Sequence, residues 1–112
     1  MPLYMSTFEY KPEVWAELVA NPENRTETVS RILQDAGCNL KGLWYAFGAS
    51  DGFALIEAPD NATGASVAIA ISASGAFRKF ETTVLMTQDE LLNALTKAQD
   101  VAYVAPGTAV HA

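Results

Sequence analysis

The sequence predicts an α+β fold in which four strands form one antiparallel sheet and helices cover a single face of it. Three observations carry this. Four short β-leaning runs alternate between two kinds of side chain, two longer stretches with helical spacing separate them, and a turn-forming run ending in Asp51-Gly52 joins the middle two strands. At 112 residues the chain has room for one domain, and with half its residues hydrophobic and 18% charged it is not a disordered chain.

The elements follow in order. Residues 2–8 form the first strand, with Leu3 and Met5 on one face and Tyr4, Ser6 and Phe8 on the other. Pro12 opens a helical turn carrying Val14, Trp15, Leu18 and Val19, which Pro22 interrupts. A second helical piece over 22–36, capped by Asn21, has Arg25, Val29, Ile32, Leu33 and Ala36 at helical spacing, and Gly37 closes it. Residues 39–47 read as the second strand and 53–57 as the third. The turn over 48–52 makes them antiparallel neighbours, with Asp51-Gly52 expected to supply a positive φ. Asp60 is placed to cap a helix rich in small residues that runs to about residue 74, before Gly75. The fourth strand, 77–86, alternates Phe80, Thr82, Val84 and Met86 on one face. Thr87-Gln88-Asp89-Glu90 has the capping-box pattern and starts a last helix ending near 99.

Strand, helix, strand, strand, helix, strand is the ferredoxin-like order, here with an extra C-terminal helix. We therefore assign residues 1–100 to one domain and 101–112 to an irregular tail. Helices on one face leave the other uncovered. With Tyr4, Trp44 and Phe80 or their alternates on that face, a single copy would expose a broad apolar surface, so a homodimer or higher even oligomer with facing sheets is expected.

Seven basic against thirteen acidic residues give a net charge of −6, which opposes binding to nucleic acid or to anionic membranes. No leader pattern and no run of 18 apolar residues is visible, and the lone Cys38 forms no internal disulfide, so a cytoplasmic location is expected. One histidine, His111, and one cysteine exclude metal sites built on several such ligands, and no glycine-rich phosphate loop follows a strand. No metal and no cofactor is expected. A catalytic triad would hang its base on the chain end, and Cys38, just after a helix-ending glycine, reads as a small buried residue rather than a reactive thiol.

The run Tyr45-Ala46-Phe47-Gly48-Ala49-Ser50-Asp51, then Ala58-Pro59-Asp60-Asn61, Ser74-Gly75-Ala76 and Thr82-Thr83-Val84-Leu85 resemble the GYD domain family across nearly the whole chain. The resemblance implies a ferredoxin-like fold of the dimeric α+β barrel type, and small bacterial proteins of unknown biochemical function. The family's turn motif keeps Gly48 and Asp51 here, while between them Ala49 and Ser50 supply neither its naming tyrosine nor the acidic residue that one branch of the family carries in the turn.

Trp44 and Tyr45 are adjacent on a strand and point to opposite faces, one toward the helices and one toward a partner or pocket. With Tyr4 and Phe80 they make the candidate lining of an aromatic cavity, and Arg25 and Arg78 are candidates to hold an acidic group. Arg25 starts a helix, where a cation opposes the dipole, so it needs a partner. Two functions are compatible with these residues. One is a homodimeric module binding a small apolar or aromatic metabolite beside the sheet. The other, by analogy of fold, is a cofactor-independent monooxygenase or isomerase on an aromatic metabolite, with Glu57 as its base.

Overall fold

The structure, a computed structural model, describes residues 1–107; the last five, with His111, lie outside the described residues. Its elements are β1 (Leu3–Tyr10), α1 (Pro12–Ala20), α2 (Arg25–Asp35), β2 (Asn39–Tyr45), β3 (Gly52–Glu57), α3 (Asn61–Ala73), β4 (Phe77–Leu85) and α4 (Gln88–Ala98). The strands form one antiparallel sheet in the order β2-β3-β1-β4, which is the ferredoxin-like arrangement. No helix among the described residues is long and apolar enough to cross a membrane.

Local chemistry explains most boundaries. Asn21 does not cap α2 as the sequence suggested. It closes α1, its backbone N–H donating to the Glu17 carbonyl and its side chain to the Glu17 carboxylate, and Asn24 caps α2 by accepting from the Thr26 N–H at 3.0 Å. Pro22 accounts for the three-residue shift, since it favours an extended residue before it and so separates the two helices. At the other end of α2, Gly37 takes φ 81°, the Cys38 N–H reaches the Leu33 carbonyl at 2.8 Å and the Gly37 N–H reaches Gln34 at 3.0 Å. This is a Schellman closure, and its two apolar members, Leu33 and Cys38, are both fully buried. Cys38 is thus a core residue, and burial pushes its thiol pKa up, with a smaller contribution from the Asp60 charge.

The turn between β2 and β3 differs from expectation. The positive-φ residues among those described are Gly37, Gly75 and Gly107, so Gly52 does not act through a left-handed turn. It sits opposite Phe8 in the sheet, and the Phe8 ring lies directly over it, where any Cβ would collide. Gly52 is needed for close approach rather than for turning. β2 also ends at Tyr45, two residues earlier than the periodicity indicates, because Ala46 already turns to donate its N–H to the Asp51 carbonyl.

The sheet has two unlike faces. Tyr4, Ser6, Phe8 and Tyr10 of β1 and Ala54 and Ile56 of β3 are buried beneath the helices. Around them Leu33, Cys38, Ala58 and Val67 complete the core. α3 settles close to β1 because Gly64 faces the Tyr4 ring, leaving an added Cβ only 2.9 Å from its Cζ. By register, the opposite face carries Leu3, Met5, Trp44, Phe53, Leu55 and Leu85, and no helix among the described residues covers it. Tyr4, Trp44 and Phe80 therefore do not share a face. The paired registers put Tyr4 and Phe80 under the helices and Trp44 alone on the open side.

The molecule is elongated, 68 × 31 × 22 Å, with a radius of gyration of 18.8 Å where about 13 Å is usual for this length. α4, which buries none of its residues, contributes to this length.

Two glycine substitutions separate close approach from simple flexibility. Gly52→Ala is expected to destabilise the chain by about 1–3 kcal/mol, because Phe8 is wedged among other rings and cannot yield. Gly42→Ala meets the Trp44 ring, which is 54% exposed and free to swing away, so its cost is expected to stay below about 1 kcal/mol. Urea denaturation of the two variants checks the ranking.

Candidate functional site

Small side chains make the space in which the site forms. Ala54 on β3 and Ala70 on α3 leave the sheet floor incompletely covered between α2 and α3. The result is a cleft of about 490 Å³, a size typical of small-molecule sites. Phe8, Tyr10, Tyr45, Phe77 and Phe80 give it an aromatic floor at one end, and Val29, Ile32 and Ile71 supply aliphatic walls. Phe8 holds the aromatic group together by edge contacts to Tyr10, Tyr45 and Phe77, at centroid distances of 5.3, 5.8 and 5.4 Å.

The polar groups of the cleft are few. The Tyr10 and Tyr45 hydroxyls lie 3.0 Å apart. Two phenols bring two protons, and their mutual hydrogen bond uses one, so the pair retains one donor for a ligand. The Tyr45 hydroxyl is held protonated well above the ordinary tyrosine range, first by partial burial and then by its hydrogen bond to Tyr10. Glu17, Glu23 and Arg25 sit at the rim. Arg25 finds the partner that its place at a helix start requires in Glu23, at 3.2 Å.

The residues singled out from the sequence are distributed unevenly. Tyr45, Phe80 and Arg25 line the cleft. Tyr4 lies deeper beneath α3, where its hydroxyl donates to the Asn61 side chain. Trp44 is on the open face. Arg78 occupies the bulge of β4 and pairs with Glu9. Glu57, on the open side of β3, accepts from the Asn39 amide at 3.2 Å and lies outside the cleft. Phe8, Tyr10 and Phe77 were not identified as lining residues. The signal for the first two was present in the sequence, since the even-numbered alternation of β1 continues through Tyr10.

Asp51 has a specific task. Its backbone N–H donates to the Phe8 carbonyl at 2.8 Å, while its Oδ2 accepts from the Tyr10 N–H at 2.9 Å and from the Trp15 indole N–H at 3.2 Å. One carboxylate thus joins the β2–β3 loop, the end of β1 and α1, and fixes Tyr10 and the wall above it. Gly48 carries no comparable demand: its φ is not positive and nothing lies within 4 Å of a built Cβ. Of the two turn-motif residues, Asp51 is the one that the local geometry requires.

Asp51→Ala is expected to lower stability by about 1–3 kcal/mol, because the Tyr10 amide loses its charged acceptor; urea denaturation reads this directly. Tyr45 gives a pH signature. Its folded pKa is raised, so the stability it contributes is complete below the ordinary tyrosine pKa of about 10 and is lost as pH rises beyond it. Thermal melts from pH 8 to 11 are expected to fall more steeply for the unsubstituted chain than for Tyr45→Phe.

Among the described residues no three His, Cys, Asp or Glu side chains converge to hold a metal ion. No curated protein and no solved structure matches the chain significantly. The model of the GYD domain matches residues 4–95, a span that includes β2, β3, β4 and all of β1 but Leu3, the cleft and the Asp51 bracket. The chain belongs to the GYD domain family.

Proposed function

We propose that this chain is a homodimeric binding protein for a small apolar or aromatic metabolite bearing one hydrogen-bond acceptor, held in the cleft between α2 and α3. The observation that carries this reading is the pairing of an aromatic cavity with a single tyrosine couple. The rings take an apolar body, and the spare hydroxyl donor and Arg25 take a carbonyl or carboxylate. Binding is favoured over catalysis because the carboxylates beside the cleft, Glu17 and Glu23, stand at its rim and Glu23 is already engaged by Arg25. The open face supports a second copy: Leu3, Met5, Trp44, Phe53, Leu55 and Leu85 form an apolar sheet surface of the kind that isolated soluble chains rarely expose.

Thermal-shift titration with 2-naphthoate and naphthalene tests the cleft. Both probes are expected to stabilise the chain, with naphthoate the tighter, and Ala70→Phe, which fills the cleft mouth, is expected to abolish both effects. The Tyr10→Phe/Tyr45→Phe double variant, which removes both hydroxyls, and Arg25→Gln are each expected to weaken naphthoate by about 3- to 10-fold while leaving naphthalene unchanged, the equivalent of one hydrogen bond. Equal, weak responses in all variants would overturn the reading. Sedimentation equilibrium tests the assembly, with an expected mass twice the 12.0 kDa of one chain. Leu55→Lys is expected to weaken that association, read as a rise in the monomer–dimer dissociation constant.

A further inference from the structure

Two surfaces in this molecule are built for burial and buried by nothing else among the described residues. α3 carries apolar residues on every side of its axis, as a helix enclosed all round does, yet its outer flank is bare and Ile69 is 68% exposed. Beside that flank runs a shallow groove of about 450 Å³, lined by Ala68, Ile69, Ser72 and Ala73 of α3 and by Phe80 and Thr82 of β4. The small residues on its α3 side allow a second helix to approach closely.

The complementary surface is α4. It is amphipathic, with Leu91, Leu92 and Leu95 on one side and 37%, 54% and 55% exposed. Its length, about 16 Å at 1.5 Å per residue, fits alongside α3, about 20 Å by the same measure. It does not reach the groove of its own chain. Two residues, Met86 and Thr87, separate it from β4, and a capping box at Thr87 fixes its departure. Thr87 Oγ1 accepts from the Glu90 N–H at 3.1 Å, and Glu90 Oε1 accepts from the Thr87 N–H at 3.0 Å.

We propose that α4 is an exchanged arm: the Leu91, Leu92 and Leu95 side of one copy docks in the α3/β4 groove of a second copy, and the second copy returns the contact. Reciprocal exchange closes a two-fold dimer and leaves no unpaired arm. The arm also reaches the ligand site, because Phe80 lines both the groove and the cleft. A docked α4 backs the aromatic floor from outside. The proposal needs a second copy, as the homodimer reading does, but not the facing of the two open sheet surfaces and not the ligand.

The test uses the full chain. Ile69→Cys and Leu95→Cys are introduced into separately tagged copies, co-expressed, and treated with a short bismaleimide. Both positions are exposed, and the unsubstituted chain, with Cys38 at 1% exposure, serves as the control. A 69-to-95 link between differently tagged copies, at least tenfold above the control, is the expected result. A link within one chain of the Ile69→Cys/Leu95→Cys double variant would mean that the arm folds back. A 95-to-95 link would mean that arms pair with each other, and a link from 95 to Leu55→Cys would place the arm on the open sheet face. Each of these, or the absence of any link, overturns the proposal. Sedimentation of the same samples separates the failures: a monomer removes the homodimer reading and the arm together, whereas a dimer without the 69-to-95 link removes the arm alone.

Discussion

Four side chains on one face of β1 set the arrangement of everything around them. Tyr4 meets Gly64 and so fixes how closely α3 lies on the sheet. Ser6, fully buried, shares a hydrogen bond of 3.0 Å with Thr82 and ties β4 to the centre. Phe8 covers Gly52 and gathers the aromatic group, and Tyr10 joins Tyr45 across the cleft. These four recur every second residue on a central strand, so a one-residue slip of β1 would turn all of them to the open face at once. Register in β1 is thereby a condition for both the core and the cleft.

The cleft is a consequence of the same strand. Its floor is rigid because Phe8 packs edge-on against three neighbouring rings, and its polar end is rigid because Asp51 holds the backbone of Tyr10 and the indole of Trp15 with one oxygen. A site with few polar groups gains selectivity only if those groups are held in place, since a loosely held hydroxyl loses on ordering what it gains on bonding. The loop of β2–β3 supplies that support from outside the cleft. This separates the role of Asp51 from that of Tyr45, although both fall in one short run of sequence.

Much of this was legible in the sequence, and for identifiable reasons. Local signals were read well where one residue decides the outcome: the Asp60 cap, Gly37 and Gly75 at helix ends, and the capping box at Thr87 all act where they were expected. The opposite pointing of Trp44 and Tyr45 followed from strand geometry alone. What failed depended on distance in space. Gly52 read as a turn residue because Asp-Gly is a turn signal, whereas the Phe8 ring that demands it lies 44 residues earlier. Glu57 and Arg78 read as site candidates by charge and place in the chain, yet register and a bulge put them outside the cleft, beside Asn39 and Glu9. The face shared by Tyr4 and Phe80 but not Trp44 depends on pairing across three strand boundaries, which alternation within one strand does not encode.

The unusual length of the molecule has the same origin as its open surfaces. A chain with half its residues hydrophobic has enough apolar surface for a compact core, yet here α4 buries none of its residues and one sheet face has no cover among the described residues. Composition and burial are therefore out of balance in the single chain. The imbalance is not spread evenly, as it would be in a loosely packed fold: the interior leaves no side-chain polar atom buried without a partner among the described residues. It is concentrated on the open face, on the outer side of α3 and along the Leu91, Leu92 and Leu95 stripe of α4. A well-satisfied interior beside sharply bounded apolar surfaces is the distribution on which the proposed second copy rests, since soluble chains rarely expose such surfaces alone.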